Sequence, residues 1–548
     1  MELDLLSSHL KQLSALTYPI KSANFSRAVA SIRLSLSQTT LQKLLPLSKV
    51  VEILSLLREF FLLGRGEFAI ALISEADEKI RSRWRRSDNL AYEKREGIGN
   101  IVVKDGEVSS VLARTWAAMG LLQGSHEDQE EDELLELARD LVQLTITKPT
   151  STQSKGQQTP SSKVASTISS TPFKNLLLSV PVSLTLQIPS PLDLFLSPSD
   201  LLTYSSINAY LLSIHRAHIR LTDLWKITSL RREHPAPPGP PYGSSKAGRA
   251  HVRILRERAK VRSEAMRSVW ATCSAAVFFL GETQAYLQGE VVKGTWDGFK
   301  TWLVGATSPE STKHGKEKDE YDDDDCDEED IWLRTLRPSS PLTSTNTTKQ
   351  HTHDPQTLTT AHSLYLTHLT TSLLLTSPQN TNSNTNTNSS TNFPQTLYTL
   401  LLQTDTLVAL IHRINTIWTS LDLESDSGVI DAFSDFQVEE VDVLRGLGET
   451  SRAVKGGIEA CVGVLRGLDA LGGGAVGGVG AGGFEGIGGG GDGSAYEELV
   501  LGEEGEYVPA KIGRVDRLLM KLDFGGWFDD PIGRDGGRSE SEEGSDEE

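Results

Sequence analysis

The sequence is short of the residues that staple, anchor or catalyse. Its three cysteines, Cys273, Cys326 and Cys461, lie far apart and form no C-x-x-C pair. That count suits a reducing compartment and excludes a disulfide scaffold. There is no run of about 18 apolar residues to form a membrane-spanning helix, and the opening MELDLLSSHL carries acids where a secretion signal needs bases. The expected setting is the cytosol or nucleus, with no membrane partner. No strand-like alternation of apolar and polar residues stands out. Catalytic signatures are missing too: the chain has no G-x-x-x-x-G-K-[ST], H-E-x-x-H, G-x-S-x-G or EF-hand loop. No catalytic residue is nominated, and the chain does not read as an enzyme. His351 and His353 sit in a Thr-rich stretch without a second ligand pair, so no metal is expected. Gly97 and Gly99, and the tract 472–493, follow no strand that could present a phosphate cradle, so no nucleotide or other cofactor is expected.

Basic residues are absent from three acidic runs: Glu127–Glu136 with seven acids, Asp319–Asp330 with ten and Glu540–Glu548 with six. Setting those 23 acids aside takes the formal charge from −19 to +4, so the foldable remainder is slightly basic. Such acidic blocks stay solvated and self-repelling, which argues against nucleic acid as the main partner.

What is present is helical periodicity, in segments separated by biased composition. Ile53, Leu56, Leu57, Phe60 and Leu63 share one face, and Phe68, Leu72, Ala76 and Ile80 a second, with Gly64 and Gly66 marking the join. The strongest helix is expected to start after Pro198, where Ser199 or Asp200 can cap it, with Leu201, Tyr204, Ile207, Leu211, Ile214, Leu221 and Trp225 as its stripe. A long helix is expected over 247–292, and further helices carry Leu358–Leu369, Leu397–Leu421 and residues 431–471. By composition the chain divides into N-terminal helices (1–147), a Ser/Thr-rich linker (148–172), a bundle with a basic helix (173–304) and an acidic, Thr/Ser-rich insert (305–353). A second bundle (354–471), interrupted by an Asn/Thr tract at 377–392, leads to a Gly-rich linker (472–493), a C-terminal helix (494–530) and an acidic tail (531–548). The expected class is all-α: helical bundles with long disordered low-complexity inserts.

Two groups of residues stand out as candidate contacts. Lys246, Arg249, Arg253, Arg256, Arg258, Lys260 and Arg262 fall on or beside the front half of one helix. They read as a solvated helix face, as an electrostatic docking surface for an acidic partner, or as an RNA-binding stretch, though the aromatic interleaving that single strands favour is absent. Phe524, Trp527 and Phe528, beside two glycines, could plug a bundle end or stand exposed as anchors. A nucleic-acid-associated scaffold is the alternative, and it would want a second basic patch.

The ordered pieces, taken in sequence, resemble the C-terminal half of the gamma-tubulin complex components. FLLGRGEF (Phe61–Phe68, with Gly64, Arg65 and Gly66) is similar to the signature that opens that region. IPSPLDLFLSPSDLLTY (Ile188–Tyr204, with Pro191, Leu192, Pro198 and Tyr204) looks like the family's proline–leucine segment leading into a helix. INAYLLSIHRAHIRLTDLW (Ile207–Trp225) matches the next helix at Arg216 and Trp225. QAYLQGEVV, with Tyr286 and Leu287, and AHSLYLTHL, with His362, resemble two later helix segments. RLLMKLDFGGWF (Arg517–Phe528, with Leu522 and Asp523) looks like the closing motif of component 4, and the low-complexity inserts are of a fungal style. The resemblance runs from around Ser8. It implies an all-helical, non-enzymatic subunit that binds gamma-tubulin, assembles with other gamma-tubulin complex components and supports microtubule nucleation at a spindle pole body or microtubule-organising centre. It also implies that the N-terminal helical domain of family members, with its lateral contacts, is reduced or missing here.

Overall fold

The apolar stripes fold as helices whose ends follow local chemistry. The computed structural model describes residues 2–16, 22–36, 45–86, 104–123, 133–147, 172–227, 245–304, 355–376, 392–427, 436–472, 507–509 and 515–524. The insert 305–354, the tract 377–391, the glycine-rich stretch and the acidic tail lie outside them. Two helices, α1 (Glu2–Ser14) and α2 (Ser22–Leu36), open the chain and touch each other. Next, α3 (Leu47–Leu56) runs into a π-helical turn, Leu57–Phe61, and α4 (Gly66–Arg86) follows. At the join, Leu63 takes the left-handed conformation (φ 57°), and the N–H groups of Gly64 and Arg65 donate back to the carbonyls of Arg58 (3.1 Å) and Glu59 (2.8 Å). A Cβ on Gly64 would stand 2.9 Å from the Arg58 carbonyl oxygen and 2.6 Å from its Nη1, so the turn closes only on glycine.

Helices α5 (Asp105–Gln123) and α6 (Glu133–Leu141) lead to a feature that the sequence analysis did not expect. Strand β1 (Val142–Ile146) pairs antiparallel with β2 (Val182–Leu186), Val142 opposite Leu186 and Ile146 opposite Val182. Each strand does alternate, Val142–Leu144–Ile146 and Val182–Leu184–Leu186, but over only five residues. β1 continues directly from a helix and β2 lies between prolines, so neither reads as a strand until the other is beside it. The pair packs on α5 and on α7 (Pro198–Asp223).

The cap of α7 also differs from expectation. Ser197 is the cap: its Oγ accepts from the Asp200 N–H (3.2 Å), and Asp200 Oδ2 accepts from the Ser197 N–H (3.1 Å). Pro198 lies inside the first turn, where its missing N–H has no helical partner to lose. α7 is the central helix, with Tyr204, Ile207, Tyr210, Leu211, Ile214 and Leu221 buried against α4, β2 and the later helices.

From Lys246 the chain stays helical to Val304: α8 (Lys246–Ala285), a π turn (Tyr286–Val292) and α9 (Lys293–Val304). α10 (Pro355–Ser372) packs on α7 and α9. α11 (Phe393–Ser427) and α12 (Phe436–Gly472) form the most extensive pair, with Leu397, Leu400, Leu407, Ile411 and Ile414 buried on the first and Val454, Ile458, Cys461 and Leu465 on the second. The short α13 (Asp516–Phe524) lies against α8 and α12. The fold is all-α with one small two-stranded sheet among the described residues. Within them no helix is long and apolar enough to cross a membrane.

Candidate functional site

The polar residues singled out in the sequence divide between the interior and one exposed helix face. Inside, Arg216 of α7 is 3 % exposed and sits between two acids that sequence reasoning missed. Its Nη1 donates to Asp405 Oδ2 at 2.8 Å and its Nε to Asp77 Oδ1 at 3.2 Å, while Arg220 Nη1 donates to Asp405 Oδ1 at 2.8 Å. Burial alone would lower the Arg216 pKa, but Asp405 and Asp77 outweigh it and raise it. Two arginines and two aspartates thus tie α4, α7 and α11 together. Asp405 lies within the apolar stripe of α11, between Leu401 and Val408, and an acid on a core face was the signal that could have found it. A void of about 20 Å³ beside Arg216 has room for a water but not for a larger ligand.

The other buried motif residues also hold the structure together. Asn208 donates from Nδ2 to the carbonyls of Phe60 (3.2 Å) and Phe61 (3.0 Å), satisfying the π turn that precedes Gly64. His362 of α10 bonds through Nε2 to the Tyr204 hydroxyl at 3.1 Å, within a cluster of Phe195, Phe299 and Tyr365. Burial pushes the His362 pKa down to about 4, against the opposing pull of Asp200 at 4.0 Å, so the ring is neutral at physiological pH. Burial likewise raises the thiols of Cys273 and Cys461 to about 12, far from the thiolate form that reacts. Leu192, Tyr286, Leu287 and Leu522 are buried, and Pro191 precedes the 3₁₀ turn Leu192–Leu194. Gly64 and Gly66 are exposed, Arg65 stacks on Phe60 at 5.7 Å, and Trp225 is 56 % exposed at the end of α7. Among the described residues there is no cluster of side chains that could hold a metal ion.

The seven basic residues singled out between Lys246 and Arg262 do not act as one group. Arg258 and Arg262 face inward: Arg258 Nη1 meets Asp422 Oδ1 at 2.7 Å, Arg262 grips both oxygens of Asp422 at 2.9 and 3.0 Å, and its guanidinium stacks on Trp418 at 5.2 Å. Trp418 Nε1 in turn donates to Glu440 at 2.6 Å, so polar contacts link this end of α8, α11 and α12 beside the apolar packing of Trp418. Although Asp422 is partly buried, the two arginines hold its carboxyl below the usual range. Arg249, Arg253, Arg256 and Lys260, spaced four, three and four apart, form a separate stripe on which all four side chains are exposed. Ile254 and Val261, 57 % and 58 % exposed, lie about a third of a turn around the helix from that stripe, with the exposed Glu257 and Glu264 between. An exposed basic line of this kind is suited to an acidic partner surface.

The last candidates fall largely outside the described residues. α13 ends at Phe524, but the Phe524 side chain and Trp527 lie outside them. What fixes α13 is described: Leu522 is buried, Asp523 pairs with Arg466 at 3.0 Å, and Arg517 and Lys521 lie 3.7 and 3.6 Å from Glu290 on the π turn after α8.

The family model for the gamma tubulin complex component C-terminal region matches residues 51–424. The matched span takes in every motif segment from Phe61 to Leu369 and ends before Arg517–Phe528. It opens after α2, at residue 51. No curated protein matches the chain.

Proposed function

The chain belongs to the gamma-tubulin complex component family, and from that premise we propose that it binds gamma-tubulin directly, using the exposed basic face of α8. Members of this family are structural subunits of the gamma-tubulin complex, which nucleates microtubules at microtubule-organising centres; they are not enzymes. The finer reading is a component-4-like subunit of fungal type, acting with other components at a spindle pole body, and it is supported by the closing motif Arg517–Phe528. No bond is made or broken by this subunit. Its contribution is to hold a gamma-tubulin in a fixed orientation, so that an array of subunits raises the effective concentration of tubulin contacts along a ring.

The observation that carries the docking reading is the division of charge on α8. Two arginines are used up on Asp422, while Arg249, Arg253, Arg256 and Lys260 stay exposed along one line of the helix. Replacing Arg253, Arg256 and Lys260 with Glu is expected to weaken co-precipitation of gamma-tubulin, and raising salt should weaken the wild-type interaction in the same direction. Unchanged binding by a folded triple variant would return this face to plain solvation. Phe524 and Trp527 are a second proposed contact. Paired alanine replacements that abolish folding, leaving no folded chain to bind, would assign them to the core.

A further inference from the structure

Around Arg216 the interior charges match, Arg216 and Arg220 facing Asp77 and Asp405. Beside them lies a cation that no described residue matches. Lys174 belongs to the 3₁₀ turn Pro172–Asn175 and is 7 % exposed, the only lysine so buried among the described residues. Its turn is pinned in place: Phe173 meets Tyr210 edge-on at 5.1 Å and Tyr398 at 5.7 Å, and Ser213 Oγ of α7 donates to the Phe173 carbonyl at 3.4 Å. No described side chain pairs with the Lys174 ammonium, and the preceding segment 148–171 contains no acid. Burial, with no carboxylate opposing it, lowers its pKa from the ordinary lysine value. Lys174 and Arg216 line the same void of about 20 Å³, whose apolar walls include Leu72, Leu144, Val182 and Leu184. The other polar wall residues are spent elsewhere, Asn208 on the carbonyls of Phe60 and Phe61 and Ser213 on those of Ala209 and Phe173. Arg216 engages its aspartates through Nε, Nη1 and Nη2, which leaves N–H groups of the guanidinium over.

We propose that this void is a binding site for one small anion, a halide and in ordinary salt chloride, held by the Lys174 ammonium beside Arg216. Charge and size select the ligand. A buried ammonium without a counter-charge is costly. A water would solvate it and leave the charge standing, whereas an anion accepts its hydrogen bonds and offsets the charge as well. A cavity of this volume takes one water-sized particle, which admits a monatomic ion and excludes sulfate, phosphate and carboxylates. The bound ion joins the turn at Lys174 to α7 in the interior, so its effect falls on stability. The site is separate from the basic face of α8 and does not depend on the gamma-tubulin reading.

Thermal unfolding of the full chain in sodium chloride tests this, with gluconate, too large for the void, holding the ionic strength constant. Raising chloride a hundredfold to about 100 mM should raise the Tm by roughly 2 °C. Bromide should act like chloride, and sulfate at equal ionic strength should not. Lys174→Met keeps an apolar stem and removes the charge, so the variant should fold and lose the chloride dependence. Chloride NMR line widths of the wild-type chain keep the test decisive if that variant misfolds. The chain should broaden the resonance, and bromide should reverse the broadening where sulfate does not; exposed arginines such as those of α8 would favour the doubly charged sulfate. A Tm indifferent to chloride, a chloride dependence that persists in folded Lys174→Met, or broadening that sulfate reverses as readily as bromide overturns the proposal.

Discussion

At the scale of the residue, the account turns on polar groups that are buried and matched. Arg216 has exchanged water for Asp405 and Asp77, so removing Asp405 leaves Arg216 and Arg220 to share Asp77 alone. Asp405→Ala is expected to cost about 3–5 kcal/mol in urea unfolding. The double variant Arg216→Met/Asp405→Leu should cost less than the sum of its two singles, because neither charge is then stranded. His362 makes a different prediction, set by its sign. Its pKa falls from 6.5 to about 4 on folding, so the stability it contributes is complete above pH 6.5 and is lost as pH falls toward 4. The loss amounts to about 1.4 kcal/mol per pH unit in that window. His362→Phe lacks this slope, and the stability gap between wild type and variant should narrow on acidification, as urea titrations at pH 7 and pH 5 would reveal.

At the scale of the element, the joins matter more than the helix interiors. Gly64 closes the π turn of α3 against the Arg58 carbonyl, and Gly64→Ala should destabilise by about 1–3 kcal/mol, since the clash is with backbone and cannot swing away. Thermal unfolding checks this, and the neighbouring Gly66, whose Cβ would meet nothing, serves as control. The helices themselves were legible because their stripes recur at three-to-four spacing over many turns, as in Leu397–Leu421 and Tyr204–Leu221. The strands were not, because five alternating residues carry little signal and each depends on a partner some forty residues away. The cap of α7 lies two or three residues before the expected Ser199 or Asp200 for a local reason: Pro198 looks like a boundary and is the first helical residue. The candidate site was legible only in part. The stripe from Arg249 to Lys260 could be read from spacing, but the partnership of Arg258 and Arg262 with Asp422 crosses about 160 residues of sequence, and helical periodicity says nothing about contacts at that range.

At the scale of the whole molecule, a core centred on α7 gathers the motif segments of the family inward and leaves the basic face of α8 outward. Half of the named residues that carry the resemblance, Tyr204, Arg216, Tyr286, Leu287 and His362 among them, are buried. They preserve a shape, and the shape presents the face. The central claim is that this shape holds gamma-tubulin, and the most direct measurement is sedimentation of purified, folded full chain mixed with purified gamma-tubulin at micromolar concentration. The account predicts a complex containing one gamma-tubulin per chain that weakens as salt rises. A chain that is helical by circular dichroism and sediments apart from gamma-tubulin under those conditions would contradict it.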